Sequence, residues 1–283
     1  MPFISELVIY PIKSCSGISL RSATITPAGL MTQYIYDREW MVIDEEGHFL
    51  SQREYPNMAQ IVPRLKADTL ELRAPGMLRL EIPLDLPHPD ETTIRHVQVW
   101  DDTVPAYDCD EMTATWFSNA IGTPCRLVRF HPDAKRRAES KWVGELDAPT
   151  LFSDGYPLLV ISSAALDELN QRLQAQDCAP LPMNRFRPNI VISDSLPHEE
   201  DVADTLVIGA ATLKPVKPCA RCPIASVNQE TGQREDDPLE ILSGYRADPR
   251  LDGAITFGMN AVLLEGADTV LSIGQEVSIN PAF

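Results

Sequence analysis

The 283-residue chain has few features that would tie it to membranes or nucleic acids. Basic residues are scarce: 24 Lys and Arg stand against 41 Asp and Glu, giving a formal net charge of -17. Nucleic acids and anionic membranes both attract basic surfaces, so neither is an expected partner. The first residues, MPFISELVIYPIKS, lack the basic and apolar regions of a signal peptide. No stretch reaches the roughly 18 apolar residues of a membrane span. We therefore expect a cytoplasmic protein.

Signatures of several enzyme classes are also missing. The GxSxG of many serine hydrolases does not occur, nor does GxGxxG before a helix or a GxxxxGK[ST] phosphate loop. Cysteine is sparse, with six residues that we expect to be mostly reduced in a cytoplasmic setting. Cys219 and Cys222 form the one close pair in the sequence.

Short apolar segments separated by turns dominate the chain, and few segments have helical periodicity. This pattern predicts a β-rich α+β fold, a barrel or sandwich with attached helices, and the missing βαβ alternation argues against a doubly wound sheet. The charged segment 131–150 lacks periodicity and lies near a candidate boundary, so we predict domains over residues 1–120 and 121–283. Strands are predicted over residues 7–10, 40–43, 48–50, 69–73, 78–82, 125–130, 156–161, 189–193, 205–208, 211–216, 260–264 and 269–279.

Three helices are expected from the apolar spacing. Residues 111–121 place Met112, Thr115, Trp116 and Ala120 on one face. Residues 164–173 follow two serines at 162 and 163, either of which could cap the helix, and residues 238–245 begin with a proline.

The segment KPCARCP, residues 217–223, carries the most specific local chemistry and allows four interpretations. A structural zinc site needs more ligands than one cysteine pair, and the nearest histidine, His198, stands alone. A thioredoxin-like pair would precede a helix, whereas residues 223–227 look extended. The cysteines could simply pack in a tight loop. Alternatively, one thiolate, favoured by the positive Arg221 beside it, could bind a soft transition metal.

Three other loops combine cations with hydrogen-bond donors. YPIKSCSG at residues 10–17 offers a lysine, hydroxyls and backbone N–H groups to a phosphate, and NRFRPN at 184–189 offers two arginines suited to anions. DREW at 37–40 contains an Asp-Arg pair for which an ordinary salt bridge is expected. Each loop taken alone is also compatible with a solvated surface turn.

Taken in order, seven segments resemble the MOSC proteins that carry an N-terminal β-barrel extension, a family that includes the mitochondrial amidoxime-reducing component and its bacterial relatives. The likeness extends from about Ser5 to Val277, and the match rests on the order of the motifs rather than on any one of them. It implies a MOSC β-barrel with attached helices after a smaller β-rich N-terminal domain. The segments are YPIKSCSG, DREW, FSDGYPLLVIS, NRFRPNIVIS, KPCARC, PLEILSGYR and FGMN.

The resemblance implies a molybdenum cofactor, in which a pyranopterin dithiolene and one protein cysteine hold the metal. The second cysteine of the pair, Cys222, matches that metal ligand, while Cys219 has no assigned role. The implied catalytic residues are Cys222, Asp154 and Asn260. Asp154 matches a loop near the metal, Asn260 stands where the mitochondrial proteins have Tyr, and Ala220 stands where several relatives have Ser. The implied cofactor-binding residues are Lys13, Ser14, Arg38, Gly155, Tyr156, Arg187, Asn189, Ala220 and Arg221.

The activity implied by the resemblance is the reduction of N-hydroxylated compounds such as amidoximes, hydroxylamines and N-hydroxylated bases. The chain carries no C-x4-C-x2-C cluster motif and no flavin or NAD fingerprint, so we expect electrons from a separate protein. That donor would be a flavin reductase, a ferredoxin-like protein or a cytochrome-type carrier. The alternative is a cofactor carrier or sulfur-transfer protein, since the family name derives from molybdenum-cofactor sulfurase. Pyridoxal phosphate binding, a property associated with that family, has no matching lysine context here.

Overall fold

The computed structural model describes residues 1–85 and 93–282. These residues form twenty strands and four α-helices, so the predicted β-rich α+β class is confirmed. The helices are α1 (Glu111–Ile121), α2 (Ser140–Val143), α3 (Ser163–Gln174) and α4 (Pro238–Leu242). The strands are β1 (Phe3–Ile9), β2 (Ile18–Leu20), β3 (Ser22–Thr26), β4 (Gly29–Thr32), β5 (Ile35–Tyr36), β6 (Trp40–Ile43), β7 (Val62–Leu65), β8 (Thr69–Arg73), β9 (Leu80–Pro83), β10 (Ile94–Val99), β11 (Asp102–Asp108), β12 (Arg126–Phe130), β13 (Leu158–Ser162), β14 (Ile190–Ser193), β15 (Ala203–Ile208), β16 (Ala211–Ala220), β17 (Ala247–Asp248), β18 (Ala254–Glu265), β19 (Val270–Ser272) and β20 (Ser278–Pro281).

The largest sheet has the strand order β2-β1-β14-β13-β18-β16-β15-β20, with β17 paired to β18. All five residues of β13 are buried, which fits a central strand covered on both faces. β13 and β14 run parallel, and α3 lies between them in the sequence because parallel neighbours need a crossover connection. The apolar side of α3, including Leu169 and Leu173, packs with residues of β13, β14 and β18 in one core cluster.

The described residues form three smaller sheets as well, with orders β10-β11-β12-β6, β19-β3-β4-β5 and β7-β8-β9. The strands predicted over residues 69–73 and 78–82 are present as β8 and β9, which pair antiparallel. The strand predicted over residues 48–50 is only partly right. These residues make isolated bridges, Phe49 with Ile43 and His48 with Gln98, and β6 pairs over a longer stretch with β12.

Strand pairing joins the first part of the chain to the last. Leu7 in β1 pairs with Ile190 in β14, and Thr24 in β3 pairs with Val270 in β19. A shared core cluster includes Ile25 of β3 and side chains of the large sheet. The division into residues 1–120 and 121–283 remains a prediction, and these pairings cross it.

Helix α1 has the predicted bounds but not the predicted face. The Asp110 side chain accepts a hydrogen bond from Thr113 N at the start, and Gly122 ends the helix with a φ of 90°. Met112 is exposed, whereas Trp116 and Phe117 are buried in the hydrophobic core that also contains Trp40 and Leu127. The packing surface is therefore rotated away from Met112 and Thr115, because tertiary contacts rather than sequence spacing select the buried face.

Several predicted bounds are wrong for physical reasons. The segment 269–279 is not one strand: Gly274, with a φ of 84° and an N–H bonded to Ile4 O, turns the chain between β19 and β20. Residues 223–227 are not extended, because Pro223–Ser226 form a 3-10 turn. Ser162 is the N-cap of α3 but its hydroxyl accepts from His198 N instead of capping the helix.

No helix in residues 1–85 or 93–282 is long and apolar enough to cross a membrane.

Gly258 marks the closest approach of β18 to β13, and we expect its replacement to destabilise the fold. Its φ is +80°, and an added Cβ would lie 2.5 Å from Ile161 Cγ1 and 2.9 Å from Val160 O. Gly258→Ala should lower the free energy of unfolding by about 3 kcal/mol, combining backbone strain and overpacking. Gly253→Ala is the matched control, because Gly253 has a φ of +81° with open space around it. It should lose only about 1 kcal/mol. If urea unfolding shows the same loss of unfolding free energy in both variants, this explanation is wrong.

Candidate functional site

One cleft of about 440 Å³ contains all twelve residues that the sequence predicts for the site. It lies where the end of β1 and the strands β13, β16 and β18 meet loops from the first half of the chain. Their placement in one cleft is a structural observation, whereas their individual roles remain predictions. The twelve are Lys13, Ser14, Arg38, Asp154, Gly155, Tyr156, Arg187, Asn189, Ala220, Arg221, Cys222 and Asn260.

The loop after β1 carries Lys13 to the cleft wall. Its backbone N–H donates to Trp40 O at 2.8 Å, and its Nζ donates to Phe152 O at 2.9 Å and to Asp154 Oδ1 at 2.5 Å. Burial lowers the pKa of Lys13, and the Asp154 charge opposes that change. The carboxylate of Asp154 faces the open cleft with 67% of its side chain exposed. Although the surrounding protein opposes ionisation, Lys13 holds the pKa of Asp154 well below its usual range. Asp154 is therefore an anion at neutral pH.

Two arginines share the ring of Tyr10. The guanidinium carbon of Arg38 lies 4.3 Å from the ring centroid and that of Arg187 lies 4.2 Å from it. Both arginines have positive φ values, 51° and 56°, in a region that costs a non-glycine residue on the order of 1 kcal/mol or more. The ring and the loop contacts therefore fix where both cations lie.

The guanidinium of Arg187 is buried with spare hydrogen-bonding capacity. Its Nη1 donates to Gln229 Oε1 at 3.4 Å, but its Nη2 has no partner among the described residues. Arg38, by contrast, is paired with Asp37. Burial lowers the pKa of Arg187 to about 10. A desolvated cation with a free donor favours an anionic ligand, which would restore both the charge balance and the hydrogen bond.

Asn189 is buried and its side-chain amide is engaged by the protein itself. Nδ2 donates to Val8 O at 3.2 Å, while Oδ1 accepts from Leu159 N at 3.1 Å and from Arg38 Nη1 at 3.4 Å. Only the second Nδ2 hydrogen is left for a ligand. The geometry therefore gives Asn189 the task of holding the cleft together.

Strand β16 runs through Cys219 to Ala220, so the cysteine pair spans a strand end rather than a compact turn. Arg221 Nη1 donates to Cys219 Sγ at 3.1 Å, and Arg221 Nη2 donates to Phe186 O at 2.8 Å. The Arg221 guanidinium therefore turns back along the strand towards Cys219, and its predicted role beside the metal-binding thiolate stays a prediction. Cys222 is half-buried at the cleft, and Arg221 Nε has no partner among the described residues.

All six thiols are free, and they divide into structural and cleft cysteines. Burial raises the pKa of Cys15 and of Cys109 to about 12 and that of Cys125 to about 11. These thiols stay protonated at neutral pH. Within the described ranges, no group of three or more His, Cys, Asp or Glu side chains close enough to share a metal ion includes Cys219 or Cys222. A structural zinc site at this pair is therefore not supported.

The remaining predicted residues face the cleft from β18 and from the 153–156 loop. Asn260 Nδ2 donates to Lys217 O at 3.2 Å, which leaves its Oδ1 available. The buried hydroxyl of Tyr156 has no partner in the described part of the chain. An added Cβ at Gly155 would meet nothing within 4 Å, so packing does not require glycine there. Ala220 is exposed at the end of β16.

Sequence reasoning missed a wall of the cleft formed by the β10–β11 hairpin and the segment after β6. Trp100 Nε1 donates to Asp154 Oδ1 at 3.2 Å, and the Arg53 guanidinium lies 4.7 Å from the Trp100 ring centroid. Phe49 packs edge-on to Trp100 at 5.1 Å. Trp100 has a φ of 56° and remains 42% exposed. No local motif marks these residues, since only the tertiary fold brings the hairpin tip to Asp154.

Comparison with protein-family models finds two matches that together cover most of the chain. Residues 1–124 match the MOSC N-terminal beta barrel domain. Residues 147–278 match the MOSC domain.

Curated relatives agree with these matches. Mitochondrial amidoxime reducing component 2 of Bos taurus is 36% identical over 86% of this chain and 72% of its own length. Mitochondrial amidoxime-reducing component 1 of Homo sapiens is 35% identical with the same coverage. Molybdenum cofactor sulfurase of Homo sapiens is 31% identical over 97% of this chain, but the match covers only 32% of the sulfurase. The chain therefore belongs to the MOSC family of molybdenum-cofactor-related proteins and combines the N-terminal β-barrel domain with the MOSC domain.

Proposed function

We propose that this protein binds a molybdenum cofactor in the cleft and reduces N-hydroxylated compounds with electrons from a separate donor protein. The names of the amidoxime-reducing relatives support the reaction class. The observation that carries the proposal is the cleft itself. An acidic protein with a net charge of -17 gathers cationic side chains around one half-buried thiol.

The residues of the cleft fit such a cofactor. Two buried guanidinium nitrogens, Arg187 Nη2 and Arg221 Nε, lack partners among the described residues and could donate to the phosphate and pterin oxygens. Lys13 and Arg38 add positive charge on the same wall. Cys222 supplies a soft sulfur ligand of the kind that a dithiolene-bound metal takes. These residues would hold the group, and Asn189 would hold the loops that carry them.

Reduction of an N–OH group to N–H consumes two electrons and two protons and releases water. The bound cofactor would supply the two-electron redox chemistry, and the chain would supply orientation and charge. Asp154 is ionised at neutral pH by its pairing with Lys13, so it serves as a fixed acceptor and not as a proton donor. The free Oδ1 of Asn260 is placed to accept a hydrogen bond from an amidine or hydroxylamine N–H.

The electron donor is proposed to be a separate flavin reductase, ferredoxin-like protein or cytochrome-type carrier. Transient redox partners dock through small interfaces, and a net charge of -17 would speed the approach of a positively charged docking face. The compartment is proposed to be the cytoplasm, and the domain division near residue 120 also remains a proposal.

A cofactor carrier or sulfur-transfer protein is the second candidate. The observation that favours it is the similarity to molybdenum cofactor sulfurase along 97% of this chain. A carrier would release pterin on denaturation without turning over an N-hydroxylated substrate, which separates the two functions.

One prediction concerns turnover of an N-hydroxylated substrate. Holoprotein isolated from a molybdate-fed host should convert benzamidoxime to benzamidine when a reducing dye supplies electrons, because the cleft then holds both metal and substrate. Product is measured by chromatography. A sample with one molybdenum per chain that gives no benzamidine would contradict the reductase proposal and favour the carrier.

The second prediction concerns the metal ligand. Cys222→Ala should contain no more than about one tenth of the molybdenum found in the unaltered protein, because the substitution removes a covalent ligand of the metal. Cys219→Ala is the matched control, with a thiol three residues away that contacts Arg221. It should keep most of its molybdenum by elemental analysis. Equal contents in both variants would remove Cys222 as the ligand.

The third prediction concerns the Lys13–Asp154 pair. Asp154→Asn should lower the pKa of Lys13 further, because the desolvation that lowers it remains while the carboxylate that raises it is lost. The pKa can be read by NMR of isotopically methylated lysines. Asp101→Asn, at an exposed residue of the same cleft, should leave it unchanged. An unaltered Lys13 titration in Asp154→Asn would refute the pairing.

A further inference from the structure

A second polar cluster lies behind the cleft, separated from it by two stacked aromatic rings. His198 packs edge-on to Phe257 with centroids 5.6 Å apart, and Phe257 in turn packs on the cleft residue Phe186 at 4.3 Å. The cluster consists of His198, Glu200 and Asp201, in and next to the 3-10 turn Glu199–Asp201. One ligand atom from each of the three side chains lies within 4.8 Å of the other two.

Unsatisfied polar atoms are concentrated in this cluster. Twelve buried side-chain nitrogen and oxygen atoms of the described residues lack a hydrogen-bond partner, and four belong to the cluster: His198 Nδ1 and Nε2, Glu200 Oε2 and Asp201 Oδ1. A fifth is the hydroxyl of Tyr245, whose ring centroid lies 6.1 Å from that of His198. Buried polar groups are nearly always satisfied, so such a concentration indicates a missing polar species.

The charges around the cluster identify what is missing. Glu168 Oε2 lies 3.7 Å from His198 Nε2, beyond hydrogen-bond distance, and Glu168 Oε1 is paired with Arg172 at 2.5 Å. Asp201 Oδ2 is paired with Arg246 at 2.6 Å. Among the described residues no cation is paired with Glu200, although that residue is only 1% exposed. Its Oε1 accepts from Ser162 N at 3.1 Å, while its Oε2 has no partner among the described residues.

We infer that His198, Glu200 and Asp201 form a structural site for one divalent first-row metal ion, with Zn²⁺ as the best-matched ion. One imidazole nitrogen and two carboxylate oxygens are ligands that zinc accepts, and water or the Tyr245 hydroxyl would complete four-coordination. Tetrahedral zinc with bonds of roughly 2.0–2.1 Å brings its ligand atoms to about 3.4 Å of each other. The three side chains therefore close inward by small rotations on binding.

The outer contacts are those that a metal site needs. Ser162 N fixes one oxygen of Glu200 and Arg246 fixes one oxygen of Asp201, leaving the other oxygen of each carboxylate for the ion. His198 adopts a φ of 59°, a strained conformation that turns its ring into the cluster. The ion would hold together the turn after β14, which Phe257 and Phe186 separate from the cleft.

The test is elemental analysis of the tag-free, full-length protein, with zinc counted separately from molybdenum. We expect about one zinc per chain after incubation with Zn²⁺ and buffer exchange, and a rise in Tm of roughly 5 °C over chelator-treated protein. Glu200→Gln and His198→Gln should each lose the zinc and the Tm response. Glu199→Gln is the matched control, since Glu199 lies in the same turn and accepts from Leu196 N instead.

Cobalt substitution makes the result independent of whether the variants fold. Co²⁺ added to the unaltered protein should give the visible absorption of a four-coordinate site with nitrogen and oxygen ligands. A sulfur-to-cobalt charge-transfer band would assign the ion to Cys219 and Cys222 and overturn the inference. It would equally be overturned by zinc retained in all three variants, or by an unaltered protein that binds no zinc and gains no stability from it.

Discussion

The amide of Asn189 is the contact on which the cleft depends. Its two polar atoms reach Val8 at the end of β1, Leu159 in β13 and Arg38 in a loop of the first half. These three segments are far apart in sequence, and each leads into a wall of the cleft. Because the amide is buried, a side chain that could not satisfy these groups would leave them without partners at a cost of about 1–3 kcal/mol each. The positions of Lys13 and Arg187 follow from this junction.

The electrostatics of the protein depend on local arrangement rather than on net charge. Excess carboxylates cover the chain, yet the cleft collects lysine and arginine side chains whose charges are only partly compensated. Tyr10 makes this possible by accepting two guanidinium groups on one ring. The aromatic ring lowers the cost of holding desolvated cations near each other before an anion arrives. The site is thus preorganised to bind a negatively charged ligand, although the protein as a whole carries a net negative charge.

The sequence predicts the fold class, most strands and the membership of the cleft, because the motifs occur in order and each ends a strand or opens a loop. What it misses depends on tertiary contact. The buried face of α1 is set by the core that covers Trp116 and Phe117, and the direction of the Arg221 side chain is set by Cys219 and Phe186. Trp100 reaches Asp154 only through the hairpin of β10 and β11. His198, Glu200 and Asp201 are neighbours in the sequence, but a short acidic run is usual on a solvated surface, and only the fold determines that Glu200 is buried.

The strand order of the large sheet has a consequence for biosynthesis. β18 lies between β13 and β16, and it is among the last strands to leave the ribosome, whereas β1 is the first and must wait for β14. Neither wall of the cleft can close on a partial chain, so nascent fragments expose apolar strands and no complete binding surface. A ligand that needs both walls of the cleft can therefore bind only after this final long-range pairing step of folding.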